Sequence, residues 1–161
     1  MKGYKIGIDP DSLEFVLIEL EVPEEYPGVI IYKHEVEVYN GLFRGKSIWD
    51  SIFQFPEDDA YPNKIKQYRA NVARVLNIQK IAFSNSPRIS SAFSLYDENF
   101  YYHPGEIIYP DTFDPDPNAV CTNGIHFFDA FIDAVKFTDD GWARYRRGLL
   151  LPLPDNIWRS F

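Results

Sequence analysis

The chain has 161 residues, 45% hydrophobic and 17% aromatic, with 16 basic against 24 acidic side chains and a formal net charge of −8. One domain of this length hides roughly two thirds of its unfolded surface and so builds a core without staples, which excludes a disordered chain. The acidic balance argues against nucleic acid and anionic membrane as partners, because both are held by excess Lys and Arg. A single cysteine closes no internal disulfide, no charged-then-apolar leader opens the chain, and no apolar run reaches membrane-spanning length, so the expectation is an intracellular protein without a membrane.

Val16, Ile18, Leu20 and Val22 alternate with Leu17, Glu19 and Glu21, the period-2 pattern of a strand with one wet face, ended by Pro23. After Pro27-Gly28 a second strand carries Ile30, Tyr32, His34, Val36 and Val38 on one parity and Lys33, Glu35 and Glu37 on the other, which puts His34 on the apolar side. Asn40-Gly41 signals a turn, and an aromatic, weakly periodic piece follows to Phe55, before the acidic loop 56–59. From Pro62 to Ile78, Ile65, Tyr68, Val72, Val75 and Leu76 recur at helical spacing, with Lys64, Lys66, Arg69 and Arg74 on other faces, which predicts the first helix.

Further on, Ile81 to Phe83 reads as a short strand and the serine-rich stretch from Ser84 as a surface loop. Extended pieces follow at Ala92–Tyr96, Phe100–His103 and Glu106–Tyr109. The run 110–117, with three prolines and three aspartates, is turns and extended backbone. Gly124 to Phe128 reads as a strand, and Asp129 as the cap of a second helix over Ala130–Phe137, with Phe131, Ile132 and Val135 on one face. The expected class is α+β, a single domain of short, mostly antiparallel strands and two main helices.

No phosphate-cradling glycine loop, paired zinc ligands, nucleophile elbow or calcium loop is present in the sequence. The unusual constellation is Cys121-Thr122-Asn123-Gly124-Ile125-His126, the one thiol five residues ahead of a strand histidine. It reads as a nucleophile, Cys121, activated by His126 or His103, with Asp111, Asp114 or Asn123 orienting that base. Against this, Cys121 reads as a small apolar residue and His126 as a hydrogen-bonded residue fixing the turn, and the acidic loop offers a thiolate no electropositive surround. No metal or cofactor is assigned: Cys121, His126 and His103 lack a recognised ligand spacing, and the aspartates of 111–116 lack the glycine and late Glu of a calcium loop. Arg144, Arg146 and Arg147, interleaved with Trp142 and Tyr145, read as a surface anchor for carboxylates rather than for RNA.

Several ordered segments resemble a known family. They are Gly3-Tyr4-Lys5, the strand ending at Pro23, Tyr68-Arg69-Ala70-Asn71-Val72, Ser94-Leu95-Tyr96-Asp97, Tyr102-His103-Pro104-Gly105-Glu106 running on to Asp111, and Cys121 to Phe128. In this order they resemble the uncharacterised domain found beside pentapeptide repeats in proteins of giant DNA viruses, here as a stand-alone copy. The resemblance covers most of 3–22 and 64–137. It implies that 27–61 is an insertion, that the aromatic tail 142–161 lies outside the pattern, and that the protein is viral. No activity comes with it. The resulting expectation is a non-enzymatic interaction or structural module, virion-associated or binding a host protein, with Trp49, Phe53, Phe55, Trp142, Tyr145 and Trp158 as partner-binding candidates. The alternative is a small cysteine-dependent hydrolase or transferase using Cys121 and His126.

Overall fold

In the computed structural model, which describes residues 1–38, 63–80, 88–95, 97–120 and 122–146, the chain is built mainly of antiparallel strands. β1 (Lys2–Ile8) and β2 (Phe15–Glu21) form a hairpin with Lys2 opposite Glu21 and Ile8 opposite Phe15. Asp9 shapes its turn, accepting from the Asp11 N–H at 3.0 Å and the Ser12 hydroxyl at 2.8 Å. Residues 23–30 then carry the chain into β3 (Ile31–Val38), which pairs with β4 (Asn63–Ala70), and β5 (Ala73–Lys80) returns along β2. The pairs β2–β5 and β3–β4 are therefore one long ribbon bent at a corner. Asn71 holds that corner: its N–H donates to the Ile30 carbonyl, its Oδ1 accepts from the Ile30 N–H, and its Nδ2 donates to the Gly28 carbonyl.

The remaining described elements are β6 (Ala92–Ser94), β7 (Asp97–Tyr102), β8 (Ile107–Ile108), β9 (Ile125–Phe127) and α1 (Phe131–Arg146). The larger sheet has the order β7-β6-β1-β2-β5-β8 and the smaller β3-β4-β9. A tight turn at His103–Glu106, closed by the Glu106 N–H on the His103 carbonyl at 3.1 Å, joins β7 to β8, so the two edges of the larger sheet meet through one turn and the sheet curls. Tyr4 and Phe128 exchange both backbone hydrogen bonds, at 2.7 and 2.9 Å, and stitch the smaller sheet to β1.

Both faces of the β1–β2 hairpin carry core. Val16, Ile18 and Leu20 join Val75, Ile78 and Phe127 in one cluster, while Phe15 and Leu17 join Ile6, Phe128 and the helix residues Ala134 and Val135 in the other. Full burial of each large aliphatic side chain stabilises by about 1.5–3 kcal/mol, so this double use of β2 concentrates the stability there. Gly3 is part of the packing, since a Cβ on it would collide with the Phe127 ring.

The α+β expectation with two main helices is corrected: the fold is mostly β, with a single helix among the described residues. Residues 63–78 form no helix. Ile65, Gln67 and Arg69 alternate inward from β4 while Lys64 and Lys66 point out, and because two of the three buried positions are polar, hydrophobicity hid the period of two. The wet face assigned to β2 is restricted to Glu19 and Glu21, because Leu17 is covered on the α1 side. Asp129 accepts the Tyr68 hydroxyl at 3.1 Å, and the Ala130 carbonyl takes the first helical N–H groups, from Asp133 at 3.2 Å and Ala134 at 3.3 Å. Ala130 thus stands where Asp129 was expected, and Ile132 is exposed while Ala134 is buried. The strand expected at 81–83 and the pieces from 40 to 59 lie outside the described residues.

Candidate functional site

Arg69 is fully buried on β4, in a cross-strand row with Tyr32 of β3 and His126 of β9. Burying a cation is costly unless its donors are satisfied. Here four backbone carbonyls of the loop between β8 and β9 satisfy the two terminal nitrogens: Nη1 donates to Asp114 at 2.6 Å and Asn123 at 3.0 Å, and Nη2 to Asp116 at 2.9 Å and Ala119 at 3.4 Å. The guanidinium carbon also lies 5.0 Å from the ring centroids of Tyr32 and Phe113, within range of favourable cation–π attraction. Tyr32 adds a direct hold, its hydroxyl donating to the Pro115 carbonyl at 2.8 Å.

The loop also organises itself. The Asp114 carboxylate accepts from the Asp116 N–H at 2.9 Å and the Thr122 hydroxyl at 2.8 Å, and the Asp116 carboxylate accepts from the Asn118 N–H at 2.9 Å. The Asp116 N–H, then the Thr122 hydroxyl, with a smaller contribution from Arg69, hold the Asp114 carboxyl below the usual carboxylate range against a small desolvation. Gly124 lets β9 approach: at φ +154° it occupies a region that favours glycine, and a Cβ there would sit 2.5 Å from Arg69 Cγ.

His126 faces Arg69 across the ladder and, through Nε2, contacts the Thr122 carbonyl at 2.6 Å, which fixes Nε2 as the protonated nitrogen. Burial, followed by the positive charges of Lys5 and Arg69 and by His34, pushes its pKa down to about 4, against the opposing effect of the Thr122 carbonyl. In the next row, His34 lies opposite Gln67 on the same face. Arg69, Gln67 and Tyr32 are not among the site candidates that the sequence offers, although Tyr32 shares the parity of His34. The signal that would have found them is the alternation of β3, which puts Tyr32 and His34 on one face and would carry over to β4 once that segment is taken as a strand.

Of the other sequence candidates, His103 is exposed and paired with Glu106 at 3.0 Å, Asp111 is exposed, and Asn123 contributes its carbonyl to Arg69. None of these is hydrogen-bonded to His126. Cys121, Trp49, Phe53, Phe55 and Trp158 lie outside the described residues, as does Arg147, and Trp142, Tyr145, Arg144 and Arg146 fall on α1 beyond its described side chains. Among the described residues no group of three or more His, Cys, Asp or Glu is placed to hold a metal ion, and no helix is long and apolar enough to cross a membrane.

No curated protein and no solved structure matches the chain. A family model does, over residues 53–134, a span that runs from within the expected insertion through β4 to β9 and into α1. It contains Arg69, the loop that Arg69 grips, and His126. With just over half of its length matched, the chain belongs to the family described as "Family of unknown function (DUF5758)".

Proposed function

We propose that this domain is a protein-binding module and that its contact element is the loop 110–120. The observation that carries the reading is the Arg69 clamp: four charge-assisted hydrogen bonds hold an outward-facing loop in one shape. A loop fixed before binding loses little freedom on binding, which is how rigid scaffolds present recognition loops. Its outer surface offers Asp111, Thr112, Asp116, Asn118 and the exposed apolar Val120, so the partner is a protein with a basic surface around a small apolar pocket. Trp49, Phe53, Phe55, Trp142, Tyr145 and Trp158 are a second contact element, argued from their aromatic character alone.

The ordered motifs add a setting: a protein of a large DNA virus, with a virion component, a host protein or a second copy as partner. A binding role is also supported over cysteine chemistry by His126, since a base with a pKa of about 4 is poorly matched to taking a proton from a thiol near neutral pH. The test places photo-crosslinking residues at positions 112 and 120, with a control at Lys33 on β3, in the full chain expressed in its source cells. Partner crosslinks should concentrate at 112 and 120, and Asp111→Lys with Val120→Asp should abolish them without lowering the melting temperature. Crosslinks confined to position 33, or a variant that keeps its partner, would refute the reading.

A further inference from the structure

Three buried polar atoms behind the Arg69 clamp have no hydrogen-bond partner among the described residues: His34 Nε2, Gln67 Oε1 and Arg69 Nε. They share one sheet face. His34 and Gln67 are directly opposed in the β3–β4 ladder, and Arg69 follows Gln67 by two residues on the same strand. Gln67 is 3% exposed and Arg69 0%, so bulk solvent does not serve these atoms. Leaving one such group unsatisfied costs about 1–3 kcal/mol, and three together would be a large charge against a domain of this size.

The chemistry of the three atoms selects their ligand. Arg69 Nε carries a proton and needs an acceptor, Gln67 Oε1 needs a donor, and His34 Nε2 takes a donor when the ring proton is on Nδ1. A metal cation is repelled by the adjacent guanidinium, and a simple anion offers nothing to Gln67 Oε1 or to the imidazole lone pair. What fits is a small neutral molecule that accepts once and donates twice. We infer that the face of the β3–β4 pair that carries His34, Gln67 and Arg69 is a built site for one ordered water, accepting from Arg69 Nε and donating to Gln67 Oε1 and His34 Nε2. Three hydrogen bonds to otherwise unsatisfied groups is the usual arrangement of a buried water. With the four carbonyls on the fork, this water gives the fifth Arg69 donor a partner, so the cation that grips the loop is satisfied at both ends. It also fixes the His34 tautomer.

The test joins two measurements on the full chain. An atomic-resolution crystal structure should show a water peak within about 3 Å of all three atoms. Water-proton relaxation dispersion should lose one long-lived water when His34→Phe and Gln67→Leu are combined. Absence of the peak, a direct hydrogen bond between His34 and Gln67 in its place, or an unchanged dispersion amplitude in the folded variant would overturn the inference. Should the variant fail to fold, the crystal structure of the unmodified chain decides it.

Discussion

Acidification should unlock the β9 side of the Arg69 clamp through His126. Its neighbours Lys5, Arg69 and His34 offer it no carboxylate, and burial holds its pKa at about 4, against 6.5 for an ordinary histidine. Between these values the unfolded chain binds a proton that the folded chain does not, so stability rises with pH across the window and falls as pH drops from 6.5 towards 4. At about 1.4 kcal/mol per pH unit, the full loss is about 3 kcal/mol, and below about pH 4 the folded form protonates too and the loss stops growing. Urea unfolding between pH 7.5 and 4 measures this, with His126→Gln as reference, because an amide donates to the Thr122 carbonyl without titrating. The acidic side chains contribute a background common to both proteins. The difference between the two profiles should open below pH 6.5 and approach 3 kcal/mol. Parallel profiles, or an NMR titration placing His126 near 6.5, would refute the reasoning.

Arg69→Lys should cost about 3 kcal/mol in chemical denaturation, since one ammonium cannot reach the carbonyls of Asp114, Asn123, Asp116 and Ala119 together; a variant as stable as the parent would show that the clamp is dispensable. Gly124→Ala should cost about 2–3 kcal/mol from backbone strain and collision with Arg69, and hydrogen exchange at the Asp116 and Asn118 amides should quicken as the loop loosens. Asn71→Ala strands the Ile30 N–H and the Gly28 carbonyl at the ribbon corner, and thermal unfolding should register a loss of about 1–2 kcal/mol.

β2, β3 and β9 are legible in the sequence, falling where alternation and turn signals put them. β4 is not, and the reason is chemical. A buried strand face is read from apolar residues, whereas β4 buries Gln67 and Arg69, and the interior placement of Arg69 depends on carbonyls 45 to 54 residues away. No local pattern encodes that, and the leftover apolar residues Ile65, Tyr68, Val72 and Val75 happen to fit a helical period. Of the candidate site, the sequence singles out His126, which pairs with Arg69, and the alternation of β3 puts His34 on the face it shares with Gln67. Arg69, which organises them, is placed by the helical spacing on a face away from the apolar residues, whereas it is buried on β4. Buried arginines of this kind are invisible to hydropathy and become visible with the pairing register.

The position of β1 in the order of synthesis has a consequence of its own. β1 is made before all of its partners: one edge pairs at once with β2, but the other waits for Phe93 and Ser94 and then for Phe128. At ribosomal speeds of about 5–20 residues per second, Phe128 follows Ile8 by roughly 6–24 s. Throughout that interval the nascent hairpin shows a free edge and an uncovered apolar face to its neighbours on the polysome, a template for strand pairing between chains. The domain's vulnerability to aggregation thus lies during translation, so slowing elongation upstream of β9 should lower the soluble yield more than the same delay placed after α1.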